Sequence, residues 1–596
     1  MQEITEPLLA PARTTGNLTD ALKRYATTDP SRILMVRREG DAWNDTTAAE
    51  LHALVQQVAK GFVACGIRPG DRVALMSRTR HEWTILDYAI WYAGGTTVPI
   101  YETSSVEQIE WILRDSGAVA IVVEKPHHLE LFKQTSEHVV TNSWIIDNGA
   151  IAEISAQGTG VSDDQIEARR AAVTVTDLAT IVYTSGTTGK PKGCELTHGN
   201  FLFITDQARA AVPEVFGDPK TSTLLFLPLA HIFGRAIQCV MIESGLKTAF
   251  APDATKLVDD IGVMKPNFLL AVPRVFEKIF NSAQQKAYAE GKGKIFDAAA
   301  DVCIEFSKAT EAGRVPLGLK VKHAVFDALV YKKIRARLGG NVQWAVSGGA
   351  ALGARLGHFF KGLGLVTLEG YGLTETTAPL TVNRPSRSRI GSVGPALPGI
   401  TIRIADDGEI LAKGGSVMRG YYGNPAATTE AIDASGWYHT GDIGKIDDDG
   451  FLYITGRKKE LLVTANGKNV APAPLEDRIR AHALVSQCMV VGDNRPYVAA
   501  LITLDQEAIG PWARANGLPE TSTARDLHKN PALRAEIQKA VDGANKMVSQ
   551  AESIRKFEIL TTDWTEAGGQ LTPSLKLRRN IVMSECAAEV EALYRD

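Results

Sequence analysis

Ile181-Val182-Tyr183-Thr184-Ser185-Gly186-Thr187-Thr188-Gly189-Lys190-Pro191-Lys192-Gly193 is the stretch that decides how this 596-residue chain is read. An apolar run enters a loop in which every residue from Thr184 to Gly193 except Pro191 is Thr, Ser, Gly or Lys. A merely flexible surface loop would not be restricted to these types. Glycines let the backbone approach a ligand closely. Backbone N–H groups and hydroxyls then donate to phosphate oxygens, and the lysines neutralise charge. A Walker A loop needs a glycine five positions before its Gly-Lys pair and a Ser or Thr after it. Those positions hold Thr184 and Pro191, so a P-loop NTPase or kinase is disfavoured.

On the N-terminal side of the loop, strand and helix patterns alternate. Val73–Met76 and Thr97–Ile100 read as strands, and so does Val119–Val123. His81–Tyr92 reads as a helix with an apolar stripe at Ile85, Tyr88, Ala89 and Tyr92, and Gln108–Arg114 as another helix. This alternation predicts βαβ units around a largely parallel sheet. From about Phe276 to Leu338 helix formers dominate. There Val321, Val325, Leu329 and the run Tyr331–Leu338 predict an amphipathic helix. Its basic face carries Lys320, Lys322, Lys332, Lys333, Arg335 and Arg337. Such a face is either simply solvated or in contact with an anionic membrane surface.

After Gly399, short strands at Thr401–Ile404, Glu409–Leu411 and Phe451–Ile454, with Asp-Gly turns, predict a β-rich subdomain. The charged run Gly456-Arg457-Lys458-Lys459-Glu460 predicts an exposed linker to a last αβ region. That region should hold strands at Met489–Val491, Tyr497–Ile502 and Phe557–Leu560, a long helix near Leu533–Ser553, and a final helix from Arg578.

Composition bounds the rest. The length calls for more than one domain. Apolar residues at 44% and charged residues at 22% give a soluble globular profile. The net charge of −3 implies no polyanion, hence no nucleic acid partner. The six cysteines are scattered without metal spacing, which argues against a disulfide framework or zinc site. The N-terminus has no signal core. The window Leu224–Ile242 is broken by Pro228, His231 and Arg235, unlike a membrane span of roughly 20 residues. A cytoplasmic location is expected, with peripheral contact at the inner face of the membrane as the sharper alternative. Oligomeric state is left open.

The loop resembles the phosphate-binding signature of the adenylate-forming superfamily, and further motifs of that family follow in order. They are Leu227-Pro228-Leu229-Ala230-His231, Ser347-Gly348-Gly349-Ala350, Tyr371-Gly372-Leu373-Thr374-Glu375-Thr376, Gly420-Tyr421-Tyr422-Gly423-Asn424-Pro425 and Trp437-Tyr438-His439-Thr440-Gly441-Asp442. Gly456–Glu460 and Leu571-Thr572-Pro573-Ser574-Leu575-Lys576 complete the set. The resemblance covers nearly the whole chain. It implies an α/β fold with a large multi-subdomain N-terminal domain of mixed sheets over residues 1–457. A small, mobile α+β C-terminal domain over 458–596 would complete it.

It also implies roles. Adenylation brings two anions together, so positive charge and tight positioning are required. Residues Thr184, Ser185, Gly186, Thr187, Thr188, Gly189, Lys190 and Lys192 would hold the phosphates of ATP. Glu375, helped by Thr184, would bind Mg2+. Gly349, Gly372 and Thr374 belong to the nucleotide loops, and Tyr371 would stack on adenine. Asp442 would take both ribose hydroxyls, with Arg457 opposite. His231 would lie near the α-phosphate, and Lys576 would be the catalytic cation. The commoner form of the last motif is Ser-Gly-Lys; here Leu575 stands in place of the glycine, and the Thr-Pro-x-x-Lys pattern of Thr572 to Lys576 resembles the long-chain branch. Lys459 would be the hinge for a domain rotation that presents Gly467 and Lys468 to coenzyme A.

Val98-Pro99-Ile100-Tyr101-Glu102-Thr103-Ser104-Ser105 and Val272-Pro273-Arg274-Val275-Phe276-Glu277-Lys278 are similar to elements of bacterial long-chain fatty acyl-CoA synthetases. A long-chain fatty acid would need an apolar tunnel, drawn here from Phe226, Ile232, Phe233 and Val346. The position of the tryptophan gate of some long-chain enzymes holds Arg235, so that gate does not transfer. Two alternatives stay open: a ligase that passes its acyl adenylate to a carrier protein, and a non-catalytic nucleotide- or lipid-binding module.

Overall fold

The computed structural model describes residues 2–40, 42–184, 190–253, 256–572 and 576–595. Two large sheets carry the N-terminal domain. In the first, the strand Leu178–Thr184 lies between Thr96–Ile100, to which it is parallel, and Lys192–Thr197, to which it is antiparallel. Arg72–Met76, Ala120–Val123 and Asn142–Ile145 extend the parallel side, and Gly420–Tyr421 closes the other edge. In the second, six parallel strands run from Val366–Leu373 through Trp344–Ser347, Phe268–Ala271, Ser222–Leu225 and Lys247–Phe250 to Ile33–Glu39. Antiparallel strands Ala378–Val382 and Ala42–Thr47 end it. The sheets are therefore mixed, and ligand loops at the ends of their parallel strands are where open α/β sheets bind ligands.

The helix His81–Tyr92 forms as read, but it is buried on every side from Trp83 to Tyr92 rather than along one stripe. It is a core helix between elements of the main hydrophobic cluster. The β-rich subdomain is an antiparallel sheet in the order 2–5, 400–404, 409–414, 438–446, 452–457. The C-terminal domain holds a hairpin of Leu462–Val463 with Asn469–Val470. It also holds a three-stranded sheet of Val485–Val491, Val498–Leu504 and Ile554–Ile559 with its own apolar core.

Three further expectations need correction. The helix expected over Leu533–Ser553 spans Pro531–Asn545, because the Asn545 amide caps the next strand. Its nitrogen donates to the Ile554 carbonyl at 3.0 Å, and its oxygen accepts from the Ile554 N–H at 2.8 Å. The final helix is broken in two, Arg579–Glu585 and Ala587–Tyr594. The amphipathic helix is Leu317–Phe326, a π-turn Asp327–Tyr331, and Lys332–Arg337. Its buried side is Leu319, Tyr331, Ile334 and Leu338, whereas Val321, Val325 and Leu329 face solvent. Among the described residues, no helix is long and apolar enough to cross a membrane.

Candidate active site

The phosphate loop joins two antiparallel strands, with Thr184 paired to Lys192. Ser185, Gly186, Thr187, Thr188 and Gly189 lie outside the described residues. The flanks are fixed from outside the loop. Trp111 donates its indole N–H to the Pro191 carbonyl at 2.8 Å, and the Lys190 ammonium lies 4.4 Å over the Trp111 ring. Lys192 lies 4.9 Å over the ring of Tyr421. Tyr421 in turn donates its hydroxyl to Glu375 Oε1 at 3.0 Å. Lys192 and Glu375, far apart in sequence, thus share one aromatic spacer.

Glu375 sits on a tight turn, Thr374–Thr376, at the end of the strand Val366–Leu373. The chain then runs through two non-glycine residues of positive φ, Thr377 at 53° and Ala378 at 77°. Such conformations cost of order 1–3 kcal/mol each and persist only where the surroundings enforce them. Thr377 is held by donating to the Ser416 carbonyl at 2.8 Å, and the Glu375 carbonyl accepts from Met418 N–H at 2.8 Å. Gly372 is required here, since a Cβ would stand 1.8 Å from the Ala378 carbonyl oxygen.

Asp442 and Arg457 face each other because their strands pair in that register. Arg457 Nε donates to Asp442 Oδ1 at 3.0 Å, and the Tyr371 hydroxyl donates to Oδ2 at 2.6 Å. Burial, reinforced by the Asp442 charge, pushes the Tyr371 phenol far up, so it remains the donor.

His231 caps the helix Ile232–Ser244, its Nδ1 accepting the Phe233 N–H at 3.2 Å. Burial, with Lys576 adding repulsion, lowers its pKa to about 4. The ring is therefore neutral at pH 7, with its proton on Nε2. Phe233 packs beneath the Gly348–Gly349 loop: a Cβ on Gly348 would lie 3.0 Å from the Phe233 ring, and the next residue, Gly349, has φ +85°. Phe226, Phe233 and Val346 are half-buried against one core, whereas Ile232 is buried within it. Arg235 is fully buried. It binds Asp87 through Nε at 3.0 Å and through Nη2, and Thr180 through Nη1 at 2.5 Å. It lies 5.2 Å from the rings of both Trp83 and Trp91. It is a structural bolt between the His231 helix and the phosphate-loop strand, not a gate at a channel mouth.

The C-terminal domain completes the cluster. Lys576 lies in a short loop closed by the Leu571–Leu577 bridge and by Thr572 N–H donating to the Lys576 carbonyl at 2.8 Å. Its side chain is exposed, yet charges of both domains act on it: desolvation, then the charge of Arg457, lowers its pKa, while Asp442, Glu375 and Glu460 pull it back up. Lys576 therefore shares one field with Asp442 and Glu375.

The docked arrangement is held by Arg274–Asp505 at 2.9 Å, Lys278–Glu507 at 3.1 Å, and Thr103 with Glu566. At the junction Arg457, Lys458 and Glu460 are all tied, Lys458 to Asp407 at 2.6 Å and Glu460 to Arg579 at 3.6 Å, with Lys459 exposed among them. Gly467 and Lys468 occupy an exposed turn, and Lys468 pairs with Glu552 at 3.4 Å within the C-terminal domain.

Tyr421, Trp111 and Glu460 were missed as site residues by sequence reasoning. Tyr421 stands in a quoted motif and could have been found. Nothing local marks Trp111. Among the described residues no three His, Cys, Asp or Glu side chains gather as a metal cage. One carboxylate beside a phosphate loop suits Mg2+, which keeps its waters and phosphate ligands and takes few from protein. Glu375, with one oxygen still open beyond Tyr421, fits that donor set.

The family described as AMP-binding enzyme matches residues 22–422, and the AMP-binding enzyme C-terminal domain matches 459–596. The long-chain-fatty-acid–CoA ligase FadD15 of Mycobacterium bovis is 46% identical over the full length of both chains, and that of Mycobacterium tuberculosis 45%. The human long-chain-fatty-acid–CoA ligase ACSBG1 is 30% identical across 97% of this chain and 84% of its own. Among solved structures, the anthranilate CoA ligase AuaEII in complex with anthranoyl-AMP superposes with a TM-score of 0.73. It is 19% identical and covers 98% of this chain and 99% of its own, which is a likeness of fold. With both domains matched and full-length relatives 45–46% identical, the chain belongs to the AMP-binding enzyme family, the adenylate-forming superfamily.

Proposed function

We propose that the protein is a long-chain fatty acid–CoA ligase working in two half-reactions with ATP, Mg2+ and coenzyme A. The observation that carries this reading is Lys576, brought from the C-terminal domain into the field of Asp442, Glu375 and Arg457. The full-length relatives named long-chain-fatty-acid–CoA ligases support the substrate class.

In the first half-reaction a fatty acid carboxylate oxygen attacks the α-phosphorus of ATP. The new P–O bond forms as the α,β-bridging P–O bond breaks, and diphosphate leaves. The loop Thr184–Lys192 binds the β- and γ-phosphates. Lys576 places a cation where carboxylate and α-phosphate meet, offsetting their repulsion. Asp442 accepts from the ribose hydroxyls while Arg457 holds it, and Tyr371 flanks the adenine. Neutral His231 offers Nε2–H to an oxygen of the substrates without adding charge. Mg2+ on Glu375, helped by Thr184, would neutralise phosphate charge. In the second half-reaction the CoA sulfur attacks the acyl carbon. A C–S bond forms, the C–O bond to AMP breaks, and the thiol proton passes to solvent.

We place the domain boundary at 457/458 and the hinge at exposed Lys459. Rotation there would carry Lys576 away and bring the Gly467–Lys468 turn to the pantetheine. Phe226, Phe233 and Val346 are proposed to line the start of the acyl tunnel. A peripheral position at a membrane surface belongs to the same reading, since the acid partitions into lipid. The test is fatty-acid-dependent exchange of diphosphate into ATP, followed by thioester formation on adding CoA, across acids from short to very long chain. Exchange without thioester would favour a carrier-protein acceptor; no exchange would overturn the enzyme reading.

A further inference from the structure

The helical segment Leu317–Arg337 carries two apolar sides. One is ordinary core: Leu319, Tyr331 and Ile334 are buried against the rest of the helical region. The other faces water. Leu317, Val321, Val325 and Leu329 are 77%, 57%, 52% and 53% exposed, an i, i+4 row turned to solvent. At about 100° per residue, Val321 and Val325 fall about 40° and 80° from Leu317, and Leu319 falls about 200° away on the buried side. Lys320 and Lys322 flank the row, at about 300° and about 140°. Ala324 and Ala328 fill the same outward sector, and both are exposed. The π-turn at Asp327–Tyr331 keeps Leu329 in the row and delivers exposed Lys332 and Lys333 at its end.

Charge sets this surface apart from the rest of the chain. Residues 314–338 hold seven lysines and arginines against one acid, Asp327, in a chain whose net charge is −3. Asp327 is neutralised locally by Arg335, at 2.7 and 3.0 Å. An outward apolar row bordered by lysines is the pattern of helices that lie in the interface plane of an anionic bilayer. A two-fold contact with a second copy would set this cationic surface against itself.

We propose that Leu317–Arg337 docks the protein on an anionic bilayer. The row Leu317, Val321, Val325 and Leu329 enters the headgroup layer, and Lys320, Lys322, Lys332 and Lys333 meet lipid phosphates. The choice of a bilayer over an acidic protein rests on the fatty acid reading, which puts the substrate in lipid.

The experiment is cosedimentation of the full chain, without substrates, with vesicles of phosphatidylglycerol and phosphatidylcholine in equal parts, and with phosphatidylcholine alone. The wild type should pellet with the anionic vesicles and be released by raised salt. The double variants Val321→Glu/Val325→Glu and Lys332→Glu/Lys333→Glu should each lose about tenfold or more in vesicle affinity. Their thermal unfolding should be unchanged, because all four side chains are exposed. Wild type that ignores anionic vesicles, or variants that bind as well as wild type, would overturn the proposal. So would a dimer in sedimentation velocity that Val325→Glu converts to monomer. Thioester formation from a soluble medium-chain acid without vesicles is read separately. Thioester without vesicle binding ends the docking proposal and leaves the ligase standing; vesicle binding without thioester does the reverse.

Discussion

Asp87 with Arg235, beneath the phosphate-loop strand, and Lys278 with Glu507, across the domain boundary, are both ion pairs, yet they differ in all that sets an ion pair's worth. The first is fully buried, doubly hydrogen-bonded and packed between Trp83 and Trp91. The second spans 3.1 Å between side chains 65% and 73% exposed. Removing one member of a buried pair leaves an uncompensated charge and typically costs about 3–5 kcal/mol. An exposed pair contributes about 0–1 kcal/mol. The half proposed to bind nucleotide is therefore bolted, and the half that carries Lys576 is lightly latched. The proposed two-step mechanism needs that asymmetry, because in it Lys576 leaves after the first step.

Arg235→Met should break the bolt. Denaturant unfolding of the N-terminal domain should lose about 3–5 kcal/mol, and a loss under about 1 kcal/mol would show the pair is not what holds strand and helix together. Lys459→Pro attacks the latch from the hinge, since proline fixes φ. One half-reaction should slow about tenfold or more, a change of about 1.4 kcal/mol, while the other keeps its rate. Normal rates in both would remove the hinge assignment. Arg274→Ala with Lys278→Ala should cost less than about 1 kcal/mol in thermal unfolding, and a larger loss would mean the domains are not free to part.

The smallest effect on rate is one of pH. With its pKa lowered to about 4, His231 keeps one charge state from pH 5 to pH 8. It should add no inflection to adenylation near the ordinary histidine value of about 6.5. In stability the sign is the other way. An unfolded chain takes up a proton at His231 below about pH 6.5 that the folded one refuses until about 4, so folding weakens as pH falls through that window. His231→Asn should flatten that part of the stability profile; an unchanged slope would place the histidine in water.

Much of this was legible because the motifs are local. The phosphate loop, Tyr371–Glu375, Thr440–Asp442 and the Lys576 loop each put their chemistry in a few consecutive residues. The alternating strands around Val73–Val123 reflect burial periodicity that a parallel sheet enforces. What could not be read depended on distant packing. Nothing near Lys190 points to Trp111, and nothing near Asp87 points to Arg235. Val321, Val325 and Leu329 have helical spacing, which says that they share a side but not which side is covered. Neighbours supplied by other elements decide that, and here they cover Leu319, Tyr331 and Ile334 instead. The Pro531–Asn545 helix was overextended for a different reason: a side-chain cap from Asn545 to Ile554, nine residues on, ends it before its helix-forming residues run out.

The central claim is that Lys576 is the cation of the first half-reaction and is dispensable in the second. Single-turnover kinetics of Lys576→Ala, followed separately for acyl adenylate formation and for thioester formation from supplied acyl adenylate, test it most directly. The account predicts that adenylation falls by about 10²–10³, the usual magnitude for a lost electrostatic stabiliser, while thioester formation stays within about threefold of wild type. Equal loss in both half-reactions would contradict it.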